Sequence, residues 1–141
     1  MRNGAVKPSG YRWVVLAVFM LLTAANQAAW ITFAPITGEA AAFYGTSDLV
    51  IGLLSLVFMA VYVVMFLPAA WAIDTWGFRP AVGVGAVLTA AGCLARGLFA
   101  ASLPLVFAGQ VALAVGQPFL LGAITKLAAR WFPPGERATA S

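Results

Sequence analysis

The residues of this chain that could do chemistry are few, and most lie inside or beside long apolar stretches. The chain has no histidine and one cysteine, Cys93, so it offers neither an imidazole base nor a set of thiolate ligands for zinc. Its four acidic residues form no catalytic pair in the sequence. We therefore predict that the chain is not an enzyme and uses no metal and no cofactor.

One short loop combines a carboxylate, a glycine and an arginine. It reads D-T-W-G-F-R, from Asp74 through Gly77 to Arg79, and separates two long apolar stretches. Such a loop places opposite charges at two span ends around a tight turn, where they can form ion pairs. We expect Arg130 to be the partner of Asp74, with Lys126 and Arg79 as alternatives.

The composition requires a membrane around these residues. The 141 residues are 63% hydrophobic and only 9% charged, against about 25% charged in soluble domains. Each of four apolar stretches has the ~20 residues that cross a ~30 Å hydrocarbon core as a helix, and the alternation of barrel strands is absent. We therefore predict an all-α integral membrane protein with four transmembrane helices. The predicted spans are 12–36, 48–73, 80–101 and 104–130, joined by an outer loop 37–47, an inner loop 74–79 and an outer turn 102–103, and flanked by a tail 1–11 and a final segment 131–141.

Basic residues predict the orientation of the four spans. The net charge is +4, and seven of the eight lysines and arginines fall on one side, which the positive-inside rule makes cytoplasmic. We expect both termini in the cytoplasm, in a multi-pass protein of the plasma (cytoplasmic) membrane whose partner is the lipid bilayer and not nucleic acid. Arg96 is the exception, near the outer end of the third span. Snorkelling to the interface is the favoured explanation, and a place in a substrate path is the alternative.

Five strings spread over the chain resemble one transporter family. They are N-Q-A-A-W-I from Asn26, F-Y-G from Phe43, W-A-I-D-T-W-G-F-R from Trp71, G-Q with Q-P-F-L-L-G in the fourth span, and A-R-W-F with Glu136. Together they are similar to the amino-terminal part of the feline leukaemia virus subgroup C receptor family, major facilitator transporters linked to choline, ethanolamine and haem export. The resemblance implies part of the N-terminal half of a major facilitator fold, and transport of a small organic solute by alternating access. The chain departs from the family at Ala29, where the family has glutamine, and from the superfamily loop motif at Ala70 and Phe78.

The resemblance also implies a substrate site. It assigns substrate contact to Asn26, Trp30 and Gln117, with the indole as part of a cage for a quaternary ammonium, held by cation–π contact. Helical spacing puts Asn26 and Trp30 on one face, and places Asn26 and Gln117 near the bilayer midplane, where transporter sites lie. Two other interpretations stay open: Trp30 as an interfacial belt residue, and the amides as interhelical hydrogen bonds. Gln110 and Tyr62 are possible substrate-path residues; the favoured alternative is an interhelical hydrogen bond for Gln110 and packing for Tyr62. Pro118 predicts a kink beside Gln117.

An inner gate follows from the same resemblance. It implies that Asp74, Gly77, Arg79 and Arg130 hold the cytoplasmic side closed. No carboxylate lies near the middle of a predicted span, where proton-coupled transporters place one. We therefore expect facilitated transport without a proton relay in this segment.

Two other classes of membrane protein remain as alternatives. A four-helix scaffold or assembly subunit would use stripes of small residues, which Gly83, Gly85, Gly92 and Gly97 could supply. A small dimeric multidrug exporter would need a glutamate inside the first span, and the chain has none there. A major facilitator has about twelve helices, so we expect a fragment or truncated gene product. Its partners would be the missing helices of the same transporter or a second chain, and it would not transport alone.

Overall fold

A computed structural model describes residues 10–140, and these residues form an all-helical bundle. Within that range there is no β-strand, as the sequence predicts. Four helices are long and apolar enough to cross a membrane, which agrees with the four predicted spans. The elements are α1 (Tyr11–Ile31), α2 (Thr37–Tyr44), α3 (Asp48–Trp76), α4 (Phe78–Leu98), α5 (Leu103–Leu121), α6 (Ile124–Trp131), a 3₁₀ turn at Pro134–Glu136 and α7 (Arg137–Ala140).

The first span ends earlier than its predicted boundary at residue 36. Helix α1 stops at Ile31, four residues before Pro35. A proline has no N–H for the carbonyl four residues back and its ring clashes with that carbonyl, so Pro35 stops the helix at this point.

The predicted outer loop 37–47 contains the short helix α2, which the sequence analysis missed. It ends at Gly45, which has φ +62°, and the N–H groups of Gly45 and Thr46 bond back to the last turn. This is the usual glycine cap of a helix rather than a loop glycine.

The other helix ends differ from the predicted spans by a few residues. Helix α3 runs to Trp76 and Gly77 alone joins it to α4, with φ +89°, a conformation that favours glycine. The predicted fourth span 104–130 is divided into α5 and α6 by Gly122 and Ala123. The interruption follows one turn after Pro118, whose ring leaves the Ala114 carbonyl without a helical donor.

Helix α5 is the centre of the bundle. In the 18-residue apolar stretch of the span that includes it, 56% of the residues are buried, whereas the corresponding stretches of the other three spans have between 11% and 22%. Helix α5 packs chiefly against α4 and α3, and less extensively against α1. Large apolar side chains on the outer faces remain exposed, as lipid-facing residues of a membrane bundle do, among them Val63, Leu67, Val87 and Leu94.

Four glycines bring α4 and α5 into backbone contact. A Cβ atom on Gly92 would lie 2.6 Å from the Gly109 carbonyl oxygen, and one on Gly116 would lie 3.0 Å from the Gly85 carbonyl oxygen. Of the glycines that could have served a scaffold, Gly85 and Gly92 are therefore used inside the bundle. Gly83 and Gly97 face open space.

Candidate functional site

Asn26 joins three helices in the core of the bundle. Its side chain is buried, and Nδ2 donates to Thr89 Oγ1 on α4 at 3.0 Å and to the Leu113 carbonyl on α5 at 3.2 Å. Thr89 Oγ1 in turn donates to the Gly85 carbonyl at 2.8 Å. Asn26 Oδ1 is also buried and has no partner among the described residues. Asn26 is thus an interhelical hydrogen-bonding residue with one free acceptor.

Replacement of Asn26 with leucine is expected to destabilise the bundle by about 1–2 kcal/mol, because two hydrogen bonds within the membrane are lost at ~0.6 kcal/mol each on average. The measurement is the free energy of unfolding in mixed micelles. Thr75→Val is the matched control, since the Thr75 hydroxyl bonds within its own helix to the Trp71 carbonyl. Equal stability of Asn26→Leu and wild type would contradict this role.

Gln117 pairs with a second amide on the neighbouring helix. Its Nε2 donates to Gln27 Oε1 on α1 at 2.9 Å. Gln27 also borders a cavity of about 380 Å³, together with Thr23 of the same helix and apolar residues. Thr23, Gln27 and Trp30 follow the i, i+4, i+7 spacing of one helical face. The Gln27–Gln117 pair therefore stands between a cavity of small-molecule size and the seam of α1 and α5.

Trp30 is half-buried and its indole stacks on Phe58 of α3. The ring centroids are 5.4 Å apart and the planes are inclined by 21°. The indole Nε1 is buried and has no acceptor among the described residues. Because Trp30 packs against α3 and a core cluster that includes Leu113, it belongs to the bundle interior rather than to a lipid-facing belt.

Gln110 and Arg96 form a polar cluster at the end of α1. Arg96 Nη1 donates to the Ala29 carbonyl at 2.6 Å and to Gln110 Oε1 at 2.9 Å, and its guanidinium lies 4.9 Å from the centre of the Phe33 ring. Gln110 is fully buried. Arg96 thus contacts the last turn of α1 and Gln110, and its snorkelling to the interface stays a prediction.

Tyr62 contacts an aromatic residue of its own helix. It is half-buried and packs on Phe66 of its own helix, with ring centroids 6.1 Å apart. Packing, the favoured alternative in the sequence analysis, describes its position.

The ion pair of the inner loop joins Asp74 to Lys126. Lys126 Nζ lies 2.6 Å from Asp74 Oδ1 and also donates to the Ile73 carbonyl at 2.9 Å. The expected first partner, Arg130, is exposed and takes no part in the ion pairs among residues 10–140, and Arg79 takes none either. The prediction of Arg130 as the nearest partner is therefore wrong. Lys126 lies one helical turn closer to the end of α3 and reaches its last carbonyls.

Loss of the Lys126 side chain is expected to free the end of α3. Lys126→Met removes the ion pair and the bond to Ile73, whereas Arg130→Met, its control on the same helix, removes neither. Because the Asp74 side chain is 72% exposed, we expect Lys126→Met to lower the free energy of unfolding by at most ~1 kcal/mol. Amide hydrogen exchange of residues 72–76 should quicken in Lys126→Met alone. Identical exchange in both variants would argue against this contact.

A second ion pair links the start of α1 to the segment after α6. Arg12 Nη2 lies 2.9 Å from Glu136 Oε2, and the Arg12 guanidinium packs on the rings of Trp13 and Phe132 at 5.6 and 5.4 Å. This contact holds the two ends of the described chain together at the side of the bundle that carries Asp74 and Lys126.

Several residues of the site escaped the sequence analysis. Gln27 is adjacent to Asn26, and a second amide inside a span was a signal for it. Phe58 and Thr89 had no signal, because an aromatic residue and a threonine in an apolar helix are ordinary packing residues. Their role depends on which helices meet, and a single sequence does not show this.

The sequence of the chain matches a known protein family. The sequence model of the Major Facilitator Superfamily matches residues 15–141. Solute carrier family 49 member A3 of Danio rerio is 39% identical over 137 residues, which is 92% of this chain and 29% of that protein. The choline/ethanolamine transporter FLVCR1 of Felis catus is 36% identical over 94% of this chain and 24% of its own length, and FLVCR2 of Homo sapiens is 33% identical over 96% and 26%. The chain thus spans less than a third of the length of these relatives, and the predicted family resemblance is confirmed.

Proposed function

Because the chain belongs to the Major Facilitator Superfamily, we propose that it forms four spans of a transporter that carries a small amine such as choline or ethanolamine across the plasma membrane. Transport would proceed by alternating access, without a proton relay in these spans and with both termini in the cytoplasm. Two relatives named as choline/ethanolamine transporters support this substrate class. So does the superfamily match over most of the chain.

The observation that carries the substrate class is the half-buried Trp30 indole stacked on Phe58. Phe58 covers one face of the indole, and the opposite π face, which is electron-rich, is the proposed recognition surface for an ammonium group. Cation–π contact with an indole contributes about 0.5–2 kcal/mol. An aromatic surface suits the positively charged ammonium group of choline or of protonated ethanolamine.

The Gln27–Gln117 amide pair completes the proposed site. Amides can donate to or accept from the hydroxyl group of choline or ethanolamine without adding charge. The cavity beside Gln27 and Thr23 is large enough for a small solute. Asn26 is adjacent to Gln27 in the sequence. Its Nδ2 donates to α4 and α5, and its Oδ1 remains free to accept a hydrogen bond.

The inner gate is proposed at the Asp74 loop. Gly77 supplies a one-residue turn with positive φ. Lys126 of α6 forms an ion pair with the Asp74 carboxylate in the last turn of α3. Arg79 and Arg130 are exposed and are free to meet the other half of a transporter. The gate would close the cytoplasmic side while the substrate site faces outward.

The scaffold alternative has less support. It would need small-residue surfaces turned toward a partner. Gly85 and Gly92 are occupied by contacts with α5, which leaves Gly83 and Gly97 of these four glycines on the open side of α4.

Equilibrium binding tests the proposed substrate class. The chain is incorporated into lipid nanodiscs and titrated with radiolabelled choline and ethanolamine. We expect saturable binding of both, which excess unlabelled choline displaces. The absence of displaceable binding in a folded, fully helical sample would reject an amine site in these spans.

A further inference from the structure

The last turn of α1 is held by side chains of two other helices. Arg96 of α4 donates to the Ala29 carbonyl at 2.6 Å and to Gln110 Oε1 at 2.9 Å. Gln110 of α5 donates in turn to the Trp30 carbonyl at 3.4 Å and to the Leu54 carbonyl of α3 at 3.3 Å. Two side chains thus connect all four long helices at the residue that carries the proposed recognition surface.

The backbone explains why donors are needed there. The last carbonyls of a helix have no intrahelical N–H partner, and at the end of α1 Ala29 and Trp30 are half-buried. A cation is favoured at this end of a helix by the helix dipole. The planar guanidinium can serve two acceptors at once. Arg96 and Gln110 satisfy the carbonyls of Ala29 and Trp30, and thereby determine the direction in which α1 presents Trp30.

The charge of Arg96 argues for this geometric role. Neither of the two ion pairs among residues 10–140 involves Arg96, so within that range no carboxylate neutralises it. A positive charge close to Trp30 repels a cationic substrate. A direct contribution of Arg96 to amine binding would therefore have the wrong sign, and its contacts with the backbone of α1 account for its position.

We propose that Arg96 and Gln110 are positioning residues that clamp the last turn of α1, so that the Trp30 indole stays stacked on Phe58 and available to an amine. This inference rests on the proposed function of Trp30. It adds a determinant of affinity that does not touch the substrate.

Fluorine NMR tests the clamp without any ligand. The full chain in nanodiscs is labelled with 5-fluorotryptophan, and the Trp30 resonance is assigned by its loss in Trp30→Phe. In Arg96→Met and Gln110→Leu we expect this resonance to shift and broaden while the other four hold their positions. Arg96→Lys, which keeps the charge and loses the planar fork, should give a smaller change. Leu94→Ala, on the exposed side of the same helix, should change none.

Two results would overturn the clamp. One is a Trp30 resonance that does not move in folded Arg96→Met or Arg96→Lys. The other is a common movement of all five resonances, which would indicate a general packing role. If Arg96→Met does not fold, Arg96→Lys and Gln110→Leu decide the question.

Choline affinity supplies the second readout. Loss of the indole geometry should weaken binding about twofold to thirtyfold in Arg96→Met, the range of a cation–π contact. Removal of a repelling charge alone would tighten it, and tighter binding would overturn the proposal. If the wild-type chain binds no choline, the proposed function fails, while the fluorine spectra still decide the positioning role.

Discussion

Replacement of Gly92 with leucine is expected to separate α4 from α5 and to cause the largest loss of stability of any single substitution considered. The Cβ atom would lie 2.6 Å from the Gly109 carbonyl oxygen and 2.8 Å from Leu113 Cγ. The first of these is backbone and cannot rotate away. Overpacking of this kind costs typically 1–3 kcal/mol and occasionally more. Because α5 is the centre of the bundle, we expect Gly92→Leu to lower the free energy of unfolding by ~3 kcal/mol.

The matched control is Gly83→Leu on the same helix. No atom lies within 4 Å of a Cβ built on Gly83, and leucine has a higher helix propensity than glycine by up to ~1 kcal/mol. This control should be neutral or slightly stabilising. The measurement is the free energy of unfolding in mixed micelles, with helix content followed by circular dichroism. Equal effects of the two substitutions would contradict the close approach of α4 and α5.

Replacement of Trp30 with leucine is expected to have the largest effect on amine binding. Leucine keeps much of the apolar contact with Phe58 but has no π system. The loss of ~0.5–2 kcal/mol corresponds to about a twofold to thirtyfold weaker affinity for choline. Trp30→Phe should lose less affinity than Trp30→Leu, because phenylalanine keeps a π system. It should still bind choline more weakly than the wild type, because phenylalanine is a weaker cation–π partner than tryptophan.

Trp71→Leu is the control for this experiment. Trp71 is 61% exposed and packs on Trp76 at the end of α3. Its substitution should leave the affinity for choline unchanged, and helix content should be equal in all three variants. Unaltered affinity in a folded Trp30→Leu chain would remove Trp30 from the site.

The number and type of the spans could be predicted from the sequence, because four apolar stretches of sufficient length leave little freedom in a bilayer. Local signals were read less completely. Pro35 ends α1 at Ile31, five residues earlier than the hydrophobic pattern predicts, and Gly45 caps a helix that was predicted as a loop. Both outcomes follow from backbone rules that apply one turn away from the residue itself.

The contacts between helices could not be derived in the same way. Arg130 and Lys126 lie one turn apart on α6, and only the docking of α6 against the end of α3 selects Lys126 for Asp74. An arginine near the end of a span is typical of a snorkelling residue, but the guanidinium of Arg96 donates to the Ala29 carbonyl at the end of α1. The pairing of Gln117 with Gln27 likewise depends on the rotation of α1 about its axis.

In the proposed site, Trp30 recognises the positive charge of a small amine and the Gln27–Gln117 pair binds its hydroxyl group. The most direct test compares the affinities of choline and 3,3-dimethyl-1-butanol, its uncharged isostere, for the chain in nanodiscs. We predict that choline binds about twofold to thirtyfold more tightly, and that the difference disappears in Trp30→Leu. Equal affinities of the two compounds for the wild-type chain would contradict the account.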